Sequence, residues 1–362
     1  MSFNDFIGNE PAVRDLRQML ANGRFPHAVI LAGAEGAGKF TLAQMLAKAV
    51  NCLDPPKSSL PDFCGVCEAC RRTGEADDLE GRCAEALEAR ENLRETDKKE
   101  TRLFIQTHPD VLIIPPDPPQ MMIKVDQVRR VTETIYFRPS QGRRKIYIFT
   151  DSCFIKEAAN ALLKVLEEPP DYAHILVLTP NPGELIPTIR SRCIAFQLAS
   201  LPVSEIESVL TQRQAGLAAE RRSLVARLSG GAVGRALAFD LAAYLAQRAD
   251  ALALLNAGKG GDHGSLFQAT ESYRAGAEGK AKTEGLLRTM SLLLQDVLYI
   301  KEAAPELIRN IDIAPGLRSL AAEVGFEWIE QASRGIDTLE TGMRRNPLRS
   351  LALDSFALSL EK

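Results

Sequence analysis

The stretch HAVILAGAEGAGKFT, residues 27–41, decides the fold. Its first half, His27 to Gly33, is a short apolar run without polar alternation, the pattern of a strand buried on both faces of a parallel sheet. Its second half, Gly33-Ala-Glu-Gly36-Ala-Gly38-Lys39, fits G-x-x-x-x-G-K. Glycines there let backbone N–H groups approach a phosphate, and the lysine adds a point charge at the start of a helix. TLAQMLAKAVNC (41–52) has helical periodicity, so strand, loop and helix follow in the order a phosphate loop requires.

Two positions disagree with hydrolysis. A working site needs a Ser or Thr hydroxyl directly after the lysine to hold Mg²⁺, and this chain has Phe40, with Thr41 one residue late. One residue along a helix turns the side chain by about 100°, so Thr41 is poorly aimed for the task. The second metal ligand belongs at the end of a buried strand, followed by a catalytic carboxylate. In KIYIFTD (145–151) those places hold Thr150 and Asp151. The expectation is a degenerate site that does not turn over ATP on its own; ATP or ADP binding stays open.

Outward from the loop, EPAVRDLRQMLAN (10–22) spaces Val13, Leu16 and Leu20 as a helix. VLIIPP (111–116), KIYIFTD and HILVLTPN (174–181) read as further strands. IKVDQVRRVTETI (123–135) reads as a helix carrying Val128, Val131 and Ile135, with Asp126 as its cap. Lys156 to Glu168 reads as a helix stopped by Pro169 and Pro170. Residues 27–198 thus alternate strands and helices as a parallel α/β layer does. After Leu201-Pro202 the strand signals vanish, and 203–240 and 241–362 read as helical, the latter broken by a loop at AGKGGDHG (257–264).

The chain has 362 residues, which suits two or three domains of roughly 100–200 residues each. With 44 Lys and Arg against 47 Asp and Glu, the net charge of −3 carries no global signature of nucleic-acid binding, so any such contact must be local or shared. No run approaches the ~18–20 apolar residues of a bilayer span. The start, MSFNDFIGNEP, has neither a basic region nor an apolar core of the secretory kind. A cytoplasmic protein is expected.

Four of the seven cysteines crowd together as Cys52-x11-Cys64-x2-Cys67-x2-Cys70. In a chain without a secretory start this favours a metal over disulfides. Four thiolates suit structural zinc, which takes tetrahedral sulfur ligands at about 2.3 Å with no open position; an iron–sulfur cluster is the competing reading. Cys83 reads as an exposed thiol, Cys153 as a buried small residue, and Cys193 as the last letter of a motif. The run EALEARENLRETDKKETR (85–102) reads as a solvated or disordered insertion, its Glu and Arg spaced to pair along a helix.

FNDFIGNE (3–10), HAVILAG with its loop, the cysteine cluster, THPD (107–110), IKVDQVRRV (123–131), NALLKVLEEPP (160–170) and TIRSRC (188–193) together resemble the AAA+ subunits of the bacterial replicative clamp loader, part of DNA polymerase III. The likeness covers roughly residues 3–70 and 104–240 and is faint beyond. It implies an AAA+ base domain at 1–198, a RecA-like parallel sheet with an inserted zinc module at 52–70 and a charged insertion at 72–102. A small helical lid (199–241) and an all-α collar (242–362) follow.

The resemblance also implies roles. Arg192 of Ser191-Arg192-Cys193 would act as an arginine finger on a neighbour's ATP, with Arg190 as the nearest decoy. Gly33, Gly36, Gly38, Lys39 and Thr41 would form the nucleotide loop, and Arg235 would either sense nucleotide or hold the lid. Partners would be gamma/tau and delta subunits in a mixed ring, with the sliding clamp and primed DNA reached through the complex. Phe40 and Thr150-Asp151 favour a fixed, non-hydrolysing subunit over a gamma/tau-like motor.

Overall fold

The computed structural model describes residues 2–260, 264, 270–273, 277–343 and 349–360. The chain divides into two compact units, Met1–Leu201 with Ala232–Arg235, and Pro202–Gly231 with Ala236–Lys362.

The first unit is built on a six-stranded sheet in the order β2-β3-β4-β5-β1-β6. The strands are β1 (Ala28–Ala32), β2 (Ile105–His108), β3 (Val111–Ile114), β4 (Lys145–Phe149), β5 (Ala173–Thr179) and β6 (Ile194–Gln197). All neighbours run parallel except the antiparallel β2–β3 pair at one edge. Helix α1 (Glu10–Ala21) precedes β1, burying Val13 and Leu16, and the short α8 (Pro187–Arg190) precedes β6. Strands β1 and β5 are buried at every residue because helices cover both faces. Val29 and Leu31 pack on one face with Leu42, Met45 and Leu46 of α2 (Lys39–Asn51). Ala28 and Ile30 pack on the other with Val128 and Val131 of α6 (Val125–Ile135) and Leu162 and Val165 of α7 (Lys156–Glu167). Each such fully buried Leu, Ile or Val stabilises by about 1.5–3 kcal/mol relative to exposure.

Several readings need correction. Asp126 does not cap α6: the helix opens at Val125, and Gln127 accepts the Lys124 N–H at 2.9 Å while Asp126 pairs with Arg102 at 3.0 Å. The charged insertion is helical as its spacing suggests, forming α4 (Leu79–Glu91) and α5 (Glu95–Glu100), but it is not merely solvated. Leu79, Cys83, Ala86 and Leu87 make one half-buried stripe of α4 against the core. Arg90 reaches Asp117, 2% exposed, at 2.9 Å, anchoring the insertion beside β3. Cys153 is exposed and Cys83 half-buried, the reverse of expectation.

The second unit is helical. Helices α9 (Val203–Arg213) and α10 (Ala219–Leu228) pack together, and the longest helices, Leu241–Ala257, Ala277–Lys301 and Phe326–Met343, share a core of Leu254, Leu287, Leu293 and Ile336. Buried Asp296 accepts from the backbone of Arg309 and Asn310, and Arg248 bridges Asn310 and Asp312. Of the expected loop at 257–264, residues 258–260 form a turn and 261–263 lie outside the described residues. No helix among the described residues is long and apolar enough to cross a membrane.

Candidate functional site

The glycine loop leaves the carboxyl end of β1 and opens α2, as the sequence predicts. Gly36 and Gly38 have φ of 78° and 88°, a region that side chains disfavour. Gly36 is doubly constrained, because a Cβ there would lie 2.6 Å from the Arg235 nitrogen. The Gly234 N–H donates to the Gly36 carbonyl at 2.8 Å, strapping the 232–235 segment onto the loop.

Lys39 turns inward. Its Nζ donates to the Gly33 and Ala34 carbonyls at 2.7 and 2.8 Å. Burial lowers its pKa against the pull of Glu35 and Asp151, and Arg235 pushes the same way as burial. Arg235 approaches Glu35 at 4.0 Å and is partly exposed. Phe40 packs against the core beneath α2, and Thr41 is half-buried. Asp151 is engaged locally, accepting from Ser152 and Cys153 N–H at 2.6 and 3.0 Å. Sequence reasoning missed the adjoining Thr179–Ser152–Glu184 chain, hydrogen-bonded at 2.9 and 3.1 Å where β4 and β5 end.

The four cysteines converge. Cys52 closes α2, Cys67 caps α3 (Glu68–Gly74), and the four sulfurs lie within 4.8 Å of one another. Four bonds of about 2.3 Å to one tetrahedral ion would set the sulfurs about 3.8 Å apart; Cys52 and Cys67 are 4.0 Å apart. Cys64 N–H donates to the Cys52 sulfur and Cys67 N–H to the Cys64 sulfur, at 3.3 and 3.2 Å. Burial works against ionisation of Cys67, but the backbone amides of Cys70 and Leu53 and the neighbouring thiols bring its pKa down to about 6. Burial raises Cys52 and Cys70. Four converging sulfurs, one of them held as a ready thiolate at Cys67, fit a metal ion of zinc's preferences. The eleven-residue excursion is anchored: Arg17 reaches Asp62 at 3.3 Å and the Pro61 carbonyl at 2.9 Å, and Phe63 meets Phe3 edge-on.

Arg192 stands at the opposite end of the sheet from Lys39. In the β1–β6 pairing Val29 faces Ile194 and Ala32 faces Gln197, so Arg192 precedes the amino end of β6 whereas the loop follows the carboxyl end of β1. Roughly 13 Å of strand separates the two levels. Its guanidinium meets Glu167 at 2.7 Å and the Thr188 carbonyl at 3.0 Å, about one third exposed. An exposed pair of this kind holds with at most about 1 kcal/mol and yields readily to a stronger anion. Arg190, the decoy, is exposed at the end of α8.

These parts define a phosphate-loop α/β protein with a four-cysteine cluster and a basic opposite end. The family described as DNA polymerase III, delta subunit, matches residues 8–84 and 81–202. The chain belongs to that family, the clamp-loader subunits of DNA polymerase III. It is 30% identical over 241 residues to the DNA polymerase III subunit tau of Escherichia coli K12, covering 65% of this chain and 32% of tau. It is 29% identical over 210 residues to the gamma subunit of Buchnera aphidicola subsp. Schizaphis graminum, covering 58% and 48%. The chain thus spans about a third of the tau relative's length. A gamma-subunit-related protein of Thermotoga maritima superposes with a TM-score of 0.43 at 18% identity over 97% of this chain and 98% of its own, too loosely to carry weight.

Proposed function

We propose that the chain is a delta-prime-like stator of the clamp loader, an AAA+ subunit that does not hydrolyse ATP and serves a neighbouring motor subunit with Arg192. The observation that carries this reading is the contrast between Lys39, bonded to its own loop, and Arg192, presented at the far end of the sheet on a weak latch. Phe40 offers no oxygen to magnesium, and Thr150 is no carboxylate. An arginine supplied in trans would stabilise charge developing on a γ-phosphate, an effect on the order of 10³–10⁵ in rate. Zinc, held by Cys52, Cys64, Cys67 and Cys70, would supply a structural cross-link. The helices at 199–241 serve as a lid, with Arg235 as its strap to the loop, and those at 242–362 as a collar toward gamma/tau and delta subunits. The sliding clamp and primed DNA are reached through that cytoplasmic assembly.

The motor reading rests on the matched relatives being named tau and gamma. It requires metal ligands where Phe40 and Thr150 stand.

The test rebuilds the complex with wild-type, Arg192→Ala, Arg192→Lys and Lys39→Ala chains and measures DNA-stimulated ATPase and clamp loading. Arg192→Ala should assemble and lose turnover at the one motor site it faces. Arg192→Lys should rescue poorly, since an ammonium lacks the planar fork. Lys39→Ala should match wild type. Full activity with Arg192→Ala in an intact complex, or ATP turnover by the isolated chain that Lys39→Ala abolishes, overturns the proposal.

A further inference from the structure

At the amino end of the sheet lies a cleft of about 810 Å³, lined by Arg24, His27, Arg143, Arg144, Asp171 and His174 among others. Its cations are presented by a held loop. Buried Asn51 accepts the N–H groups of Arg143 and Arg144 at 2.9 and 3.0 Å and donates to the Arg144 carbonyl at 3.1 Å. Buried Asp110 accepts those of Ser140, Gln141 and Gly142 at 2.8, 2.8 and 2.6 Å. Ordering a loop costs about 1–2 kcal/mol per residue, and here the fold has met that cost before any ligand arrives.

The side chains of Arg24 and Arg143 are exposed and make no hydrogen bond or ion pair among the described residues. Of the two acids on the wall, Asp62 is matched by Arg17, which leaves the Asp171 carboxylate against Arg24, Arg143 and Arg144. The balance at the wall is positive, although the whole chain is at −3.

His174 is 3% exposed, and its Nδ1 meets the Pro26 carbonyl at 2.9 Å. A carbonyl only accepts, so Nδ1 carries the proton and Nε2 keeps a lone pair. No partner among the described residues takes that lone pair, and the ring lines the cleft. It suits a donor such as a base N–H.

Beyond the cleft the surface turns aromatic. Tyr136 and Phe137 are 54% and 66% exposed. Tyr172, next in sequence to the lining Asp171, donates its hydroxyl to the Tyr136 carbonyl at 2.6 Å, and Lys145, next to the lining Arg144, lies 5.9 Å from the Phe137 ring centre. Unpaired cations for phosphates, a buried acceptor for a base edge and open aromatic faces for stacking are the three elements of single-strand recognition.

We infer that this cleft and its aromatic rim bind single-stranded nucleic acid. The inference does not rest on the stator reading.

The test is fluorescence anisotropy of labelled dT20 with the isolated full chain, without ATP or partners, at 50 and 200 mM salt. Wild-type chain should bind, with affinity falling as salt rises. The Arg24→Glu/Arg143→Glu double substitution should weaken binding at least tenfold and flatten the salt dependence by about 0.7 in log–log slope for each phosphate it leaves unneutralised. Phe137→Ala should weaken it about fivefold or more with the slope unchanged, because stacking is uncharged. Arg334→Ala, at an exposed cation of the helical unit, should bind as wild type. Circular dichroism confirms that the variants fold; all the substituted side chains are at least one third exposed. No binding at 50 mM salt, an unaffected double variant, equal retention of duplex DNA or of poly-glutamate, or full displacement by millimolar ATP or inorganic phosphate each overturns the inference. The last two would point to an acidic protein partner or a small anion.

Discussion

The two ends of one sheet treat their cations in opposite ways. At the carboxyl end Lys39 is turned back on Gly33 and Ala34, and the loop is strapped by Gly234. At the amino end Arg192 sits on a latch of about 1 kcal/mol or less, and the Arg24 and Arg143 side chains have no partner among the described residues. Helix α2 joins the ends, opening with Lys39 and finishing with Asn51 and Cys52, about 20 Å away.

The harshest way to test this contrast removes the brace of the amino end. Cys67→Ser, or chelation of the metal, should disorder the 52–70 module at a cost of up to about 10–16 kcal/mol of binding free energy. The sheet and the helical unit should survive, because most of the core at Leu42, Ile113 and Leu176 lies outside the module. Elemental analysis should give about one zinc per wild-type chain, and hydrogen exchange should locate the loss. Iron with sulfide in the wild type would refute the assignment.

Next in size is the exchange of roles between the two cations. Arg192→Ala should cost the faced motor site about 4–7 kcal/mol of transition-state stabilisation, equivalent to the 10³–10⁵ in rate, whereas Lys39→Ala should cost the complex nothing measurable. Equal effects of the two would erase the comparison.

His174 supplies a pH probe of the amino end. Burial, the largest cause, lowers its pKa to about 4, below the ordinary 6.5, partly opposed by the Pro26 carbonyl. The folded state thus holds the ring neutral while the unfolded chain takes a proton below pH 6.5. Its contribution is present in full above about pH 6.5 and is lost as the pH falls toward 4, by about 3 kcal/mol. Tm measured from pH 7 to 4 should fall less steeply in His174→Gln than in wild type; parallel slopes would remove His174 from the account.

The smallest effect concerns the strapped loop. Gly36→Ala should destabilise the first unit by about 1–3 kcal/mol, since the residue needs a positive φ and its Cβ would press on the Arg235 nitrogen. Gly23→Ala, also at positive φ but with open space around it, should cost less. Denaturant unfolding of the two variants gives the comparison.

The buried strands β1, β3, β4 and β5 were legible because apolar runs covered on both sides leave an unbroken signal. Edge strands were not. In β6 only Phe196 of four residues is buried, and β2 alternates irregularly, so neither carries a periodic pattern. Cysteine spacing announced the four-sulfur cluster, since side chains close in sequence need little help from the fold to meet. The amino-end cleft was invisible, because Arg24, Arg143 and His174 come from separate segments joined only by sheet register. Asp110 stood in THPD as a letter of a resemblance, and nothing local revealed that it grips residues 140–142. In α4 the Leu79, Cys83, Ala86, Leu87 stripe was readable but masked by surrounding charge.

The strap across the glycine loop changes what substitution can do there. The Gly36 carbonyl and the Gly234 N–H hold the loop's geometry through the backbone, independently of the side chains at 39–41. A saturation library of residues 33–41 scored for folding alone would therefore be read mainly as polypeptide shape, with Gly36 intolerant and Thr41 permissive.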